Sequence, residues 1–127
     1  MKVLIAEHNV KLVSAMKYIV RQFGFQDIVD TDDGDDALRL LTENQFDFVI
    51  LDRSLPNVGG VDLTKAMRGQ APHRTTPVIL ITEENQPEDV LAAIESGVNE
   101  YVLKPLDKEV LRAKIHKVLK TIKADVA

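Results

Sequence analysis

Four runs of consecutive apolar residues, Val3-Leu4-Ile5-Ala6, Phe48-Val49-Ile50-Leu51, Val78-Ile79-Leu80-Ile81 and Tyr101-Val102-Leu103, are each followed at once by a polar side chain: Glu7, Asp52, Thr82 and Lys104. Runs that do not alternate in polarity mark strands covered on both faces, the situation of a parallel sheet between helices. The spacing predicts strands over about Lys2 to Ala6, Ile28 to Thr31, Asp47 to Leu51, a fourth opened by Pro77, and Glu100 to Leu103. Helical periodicity fills the intervals. One helix runs from about Asn9 to Phe23 with Gly24 as its stop, and a second from Asp35 to Glu43 presents Ala37, Leu38 and Leu41 on one face. A short one follows from Val61 to about Arg68, and a fourth starts at Pro87 and ends near Ser96 with Gly97 behind it. After Asp107, Val110, Leu111, Ile115, Val118, Leu119 and Ile122 recur at the spacing of an amphipathic terminal helix. Asp33-Gly34 reads as a turn, and Arg53 to Gly59 as a loop, since Pro56 and Gly59-Gly60 break both periodicities.

Regular alternation of strands and helices implies parallel strands, right-handed crossovers and helices on both faces of one sheet, a doubly wound α/β fold. For five strands the flavodoxin-like order 2-1-3-4-5 is one of two common choices, and it puts the switch point between strands one and three. Glu7 and Asp52 then become neighbours at the carboxyl edge, where such sheets bind their ligands.

At 127 residues the chain fits a single domain, 1–127. It has no cysteine, which removes disulfides, thiolate metal sites and thiol nucleophiles. With no signal-peptide pattern and no apolar stretch of about 20 residues, the expectation is a cytoplasmic protein without a membrane partner. A net charge of -4 argues against nucleic acid as a partner, because that affinity comes from neutralising phosphates. The basic stretch Lys108, Arg112, Lys114, Lys117, Lys120 reads as the solvated face of the terminal helix. The acids from Asp27 to Asp36 read mostly as solvation and helix capping.

An acid, an acid, a hydroxyl and an amine delivered to one edge are the inventory for handling a phosphoryl group. In order along the chain stand Ile5-Ala6-Glu7-His8-Asn9, Leu51-Asp52-Arg53-Ser54-Leu55-Pro56 leading to Gly60, Ile81-Thr82, and Tyr101-Val102-Leu103-Lys104-Pro105. Each is weak alone; all four at successive strand ends are specific. Over essentially its whole length the chain resembles the receiver domains of two-component response regulators, at the size of the stand-alone chemotaxis type.

The resemblance implies roles. Asp52 is the phosphoacceptor, Lys104 pairs with a phosphate oxygen, and the Thr82 hydroxyl bonds another once the group is attached. Glu7, Asp52 and the backbone carbonyl of Ser54 ligate a divalent cation, Mg²⁺ in the family. Tyr101 turns inward when Thr82 moves, and the Lys104-Pro105 bond is cis. The chain is then no enzyme beyond its own phosphotransfer and dephosphorylation. It is a switch charged by a histidine kinase or phosphotransfer protein, read by an unknown downstream target through the face of helix four, strand five and helix five, with room for a homodimer. It works alone or as a piece of a longer regulator.

Three departures stand out. His8 occupies the position of the family's second metal-ligating acid, and an imidazole there weakens Mg²⁺ or moves preference toward Mn²⁺ or another transition ion. Arg53 is expected to form an ion pair at the pocket mouth. Glu83, where the family has a small residue, narrows access to the phosphate. Two rivals follow: a phosphorylation-independent interaction domain, for which His8 speaks, and an enzyme of the flavodoxin or aspartyl-phosphatase kind. Against the enzyme, Ala6 to Asn9 lacks a phosphate cradle and Asp52-Arg53-Ser54 lacks a second aspartate two positions on.

Overall fold

The apolar runs pair edge to edge into one sheet. The computed structural model describes residues 1–126, and in it β1 (Lys2–Ala6), α1 (Val10–Gln22), β2 (Asp27–Thr31), α2 (Gly34–Glu43), β3 (Phe48–Asp52), α3 (Gly60–Arg68), β4 (Val78–Thr82), α4 (Pro87–Ser96), β5 (Glu100–Leu103) and α5 (Lys108–Val126) follow in strict alternation. All pairings are parallel and the strand order is β2-β1-β3-β4-β5. Ala6 lies beside Leu51, and Thr82 beside Leu103, so four strands end at one level.

Because side chains alternate along a strand, each apolar run feeds two cores. Val3, Ile5, Phe48, Ile50, Ile79 and Ile81 pack with α1 (Met16, Ile19, Val20) and α5 (Leu111, Ile115, Val118). Leu4, Ala6, Val49, Leu51, Val78 and Leu80 pack with α2, α3 and α4 through Ala37, Leu41, Leu63, Met67 and Ala93. That is why the central runs show no polar positions. Fully burying one such side chain contributes about 1.5–3 kcal/mol.

The predicted helix ends hold to within a residue. Asn9 caps α1, its Oδ1 accepting the N–H groups of Lys11 (3.0 Å) and Leu12 (3.2 Å), and Gly24 stops it at φ +93°. Gly97 ends α4 at φ +103°. Three readings change. Asp33 is the N-cap of α2 rather than part of a turn, accepting the Asp36 N–H at 3.0 Å, and Gly34 is the first helical residue. The glycine is needed for proximity: a Cβ there would sit 1.9 Å from the Val58 carbonyl oxygen. Val110 is 43% exposed instead of facing the core, because the α5 stripe is narrower than its apolar content. Finally, a 3-10 turn spans Ala71–His73, a stretch too short to show a periodicity.

Buried His73 anchors that turn, Nε2 lying 2.9 Å from the Asn44 carbonyl oxygen and Nδ1 3.1 Å from Thr76 Oγ1. Arg68, at the end of α3, binds carbonyls from three directions: His73 (2.9 Å), Thr76 (2.8 Å) and Gly97 (2.8 and 3.1 Å). Burial draws its pKa down from the ordinary arginine value. Among the described residues no helix is long and apolar enough to cross a membrane.

Candidate functional site

β1 and β3 are adjacent central strands, so the residues that leave them, Glu7 and Asp52, meet under the loops of the carboxyl edge. Both are 1% exposed. Each carboxylate takes one local N–H: Asn9 donates to Glu7 Oε2 at 3.0 Å and Ser54 to Asp52 Oδ1 at 3.0 Å. β5 brings Lys104 to the same place, its N–H donating to the Thr82 carbonyl at 2.8 Å, with the Lys104-Pro105 bond cis. The Lys104 ammonium lies 3.1 Å from Glu7 Oε1 and 3.5 Å from Asp52 Oδ1. Thr82, 3% exposed, ends β4 beside them, its Oγ1 accepting the Glu84 N–H at 2.9 Å.

His8 enters from the solvent side. Its imidazole is half-exposed, with Nδ1 2.5 Å from Asp52 Oδ2 and 3.2 Å from Glu7 Oε2. Lys104 thus lies nearest Oε1 and Oδ1 and also donates to Glu7 Oε2 at 3.4 Å, while His8 sits at Oε2 and Oδ2. Burial pushes Glu7 above the usual carboxylate range and Asp52's neighbouring charge adds to this, against the Asn9 N–H and Lys104. Burial works on Asp52 in the same direction, but the Ser54 N–H, Glu7, Lys104 and His8 outweigh it and hold Asp52 below its ordinary value. Of the two carboxylates, Asp52 is thus the one held toward its charged form. An ionised, buried, partly screened carboxylate beside an ammonium is equipped to act as a nucleophile toward an anionic electrophile.

The donor set fits a divalent cation. One ligand atom each from Glu7, His8 and Asp52 falls within 4.8 Å of the others, and buried Glu7 Oε1 has no hydrogen-bond partner among the described residues. Lys104 is close to that oxygen, but outside hydrogen-bonding geometry. Two carboxylates suit a hard cation; the imidazole suits a softer one.

The other expected residues fall around this centre. Ser54 touches Asp52 through its N–H. Tyr101 is half-buried on β5 and packs against the α2–α4 core. Glu83 is exposed at the rim. Arg53 forms no ion pair among the described residues; in the turn after β3, with its N–H on the Ile81 carbonyl at 2.8 Å, its Nη1 donates to the Asp89 carbonyl of α4 at 2.9 Å. Gly60 lets α3 start against the Asp52 backbone: a Cβ would lie 2.8 Å from the Asp52 carbonyl oxygen and 2.6 Å from Leu80 Cδ1. Sequence reasoning missed an acid-walled recess beside His8, formed by Glu7, Asp30, Thr31, Asp32 and Asp36. The signal was the strand order, which sets Thr31 beside Ala6 and swings the acids after it to the same edge.

Comparison with known proteins agrees with this arrangement. The family model described as response regulator receiver domain matches residues 3–116. The chain is 34% identical over 122 residues to the chemotaxis protein CheY of Pseudomonas aeruginosa, covering 96% of this chain and 98% of that protein. The receiver domain of a signal transduction histidine kinase from Syntrophus aciditrophicus superposes with a TM-score of 0.85 at 30% identity, covering 96% of this chain and 92% of that one. The receiver domain of a Pseudomonas aeruginosa sensor histidine kinase, with a magnesium ion coordinated in its active-site cleft, gives a TM-score of 0.82 over 94% and 97% of the two chains. Its 24% identity makes that likeness one of fold. A match running from the first strand into the last helix, on this strand order, leaves one assignment: the chain belongs to the response regulator receiver domain family of two-component signalling.

Proposed function

We propose that this receiver is a phosphorylation-dependent switch in the cytoplasm, with Asp52 as phosphoacceptor. The observation that carries the reading is the placement of one ammonium, Lys104, 3.1 and 3.5 Å from two buried carboxylates at the end of a parallel sheet. A carboxylate oxygen of Asp52 attacks the phosphorus of a phosphohistidine on a kinase or phosphotransfer protein. The bond from phosphorus to the imidazole nitrogen breaks as the acyl phosphate forms, and the donor histidine keeps the electron pair. Lys104 faces the charge that develops on the phosphoryl oxygens, and Thr82 exchanges the Glu84 N–H for one of them. A divalent cation, Mg²⁺ or Mn²⁺, held by Glu7, Asp52 and the Ser54 carbonyl would supply further positive charge there.

The output is a face of α4, β5 and α5. It exposes Leu91, Ile94, Leu103 and Val110, and a groove between β5 and α5 is lined by Tyr101, Leu103, Val110 and Lys114. Two links run from the site to this face: the Glu84 N–H on Thr82 and the Arg53 guanidinium on the Asp89 carbonyl. Added charge at Asp52 competes for both groups and shifts the α4 population toward a second arrangement. A downstream protein, or a second copy of the chain, reads it.

One observation favours a second reading, a phosphorylation-independent interaction module: His8 Nδ1 already closes on Asp52 Oδ2 at 2.5 Å. Acetyl phosphate with Mg²⁺ or Mn²⁺, followed by intact-mass measurement, separates the two. The switch reading requires one added phosphoryl group that Asp52→Asn abolishes. No addition with either metal establishes the module.

A further inference from the structure

The approach of one imidazole nitrogen to both carboxylates has a chemical consequence. Oε1 and Oδ1 face the Lys104 ammonium, which also reaches Oε2 at 3.4 Å; Oε2 and Oδ2 face an imidazole nitrogen, at 3.2 and 2.5 Å from Nδ1. On that second side the protein offers one nitrogen and two oxygens converging from a solvent-open, acid-walled recess. Three protein ligands with a fourth position left to water is the pattern of an open tetrahedral zinc site, whose neighbouring ligand atoms stand about 3.3 Å apart. The Nδ1 to Oε2 separation of 3.2 Å already meets it. The Nδ1 to Oδ2 separation must widen by about 0.8 Å to reach the same spacing, within the reach of a half-exposed ring on a loop. Mg²⁺ gains little from such a set, since it demands oxygen ligands in a near-octahedral array and keeps its waters. For a mixed nitrogen and oxygen site the first-row ions follow a fixed order of affinity, rising from Mn²⁺ through Co²⁺ and Ni²⁺, with Zn²⁺ above the early members.

We infer that Glu7, His8 and Asp52 form a site selective for a late first-row transition cation of the Zn²⁺ class over Mg²⁺, with His8 Nδ1 as the residue that sets the preference. The inference rests on the reading that this edge holds a cation, and deepens it. In the same cluster buried Glu7 Oε1, 3.1 Å from the Lys104 ammonium but outside hydrogen-bonding geometry, has no hydrogen-bond partner among the described residues. The recess acids Asp32 and Asp36 line the approach and favour entry of a cation.

The test uses the full chain stripped with EDTA. Co²⁺ is titrated in while visible absorption of the tetrahedral ion is followed, and Zn²⁺ or Mg²⁺ is then used to displace it. Wild type should develop the band, release Co²⁺ to Zn²⁺, and hold it against Mg²⁺ at a preference on the order of tenfold or more. His8→Ala, checked for folding by circular dichroism, should lose the band. His8→Asp should move the preference toward Mg²⁺, and His116→Ala, an exposed histidine on α5, should change nothing. An unchanged band in His8→Ala, or equal displacement by Zn²⁺ and Mg²⁺ in wild type, overturns the inference. Intact-mass phosphorylation is scored separately. Phosphorylation without metal selectivity defeats this inference alone, and selectivity without phosphorylation defeats the switch reading alone.

Discussion

Replacing Lys104 by methionine removes the ammonium while keeping its apolar stem. At an effective dielectric of about 20, unit charges at 3.1 and 3.5 Å attract by about 5 kcal/mol each. Much of that is offset by the cost of taking an 11% exposed ammonium out of water. Breaking a buried pair by deleting one partner typically leaves a net loss of about 3–5 kcal/mol, because the stranded charge stays buried. Against a total stability of about 5–15 kcal/mol this is a large fraction. The loss also depends on pH. Glu7 already sits above the usual range, and an acid raised in the folded state contributes stability below its unfolded value, lost as pH rises through the folded one. Without Lys104, Glu7 rises further, so the deficit of Lys104→Met should be largest near pH 7.5 and narrow toward pH 5. Adding Glu7→Gln to Lys104→Met should recover part of it, a non-additivity that identifies direct coupling. Urea unfolding in EDTA at both pH values measures this. A deficit under about 1 kcal/mol, equal at both, is the behaviour of an exposed ion pair and would refute the caged-ammonium argument.

Gly60→Ala places a methyl group against the Asp52 carbonyl and Leu80, and should cost about 1–3 kcal/mol in urea unfolding, with slower phosphorylation if the Asp52 loop shifts. Glu100, 12% exposed, is held ionised by Lys114 (3.0 Å) and Lys117 (3.3 Å), which outweigh its burial and lower its pKa. Its contribution is present above the ordinary glutamate range and lost as pH falls through the folded value. Glu100→Gln should therefore cost about 0.5–1 kcal/mol at pH 7, and the gap should close below about pH 4. Arg53→Ala should speed amide hydrogen exchange in the first turns of α4 and leave α5 unchanged; equal rates in α4 would mean the Asp89 contact bears no load.

The four central apolar strands and the meeting of Glu7, Asp52, Thr82 and Lys104 were legible because one physical pattern encodes them, an apolar run buried on both faces and then a polar residue at the exit; the strand order came from the alternation of strands and helices, as one of two common choices. Helix termini were legible where a single residue type does the capping, as at Asn9 and Gly97. What escaped depended on distances between elements. Nothing local distinguishes an arginine that seeks a carboxylate from Arg53, which finds a helix carbonyl, or a turn glycine from Gly34, which makes room for Val58. His8 was flagged by its type, but its simultaneous approach to both carboxylates required the β1–β3 register. The acidic recess was overlooked for the same reason: its walls come from two loops that only pairing of β1 with β2 makes adjacent.

Arg68 gives the far end of the molecule a different character from the carboxyl edge that carries Asp52. Its guanidinium staples Gly97, the residue that caps α4, to the stretch that leads into β4, by bonds to several carbonyls at once. The opposite end of α4 is tethered by one side-chain hydrogen bond among the described residues, from Arg53 to the Asp89 carbonyl. A rod pinned at its foot and lightly held at its head tilts more readily than it slides. On the switch reading proposed above, the largest displacement is expected at the head, next to Thr82 and Glu84, with the hinge at Gly97, where the chain already adopts a backbone conformation that resists substitution.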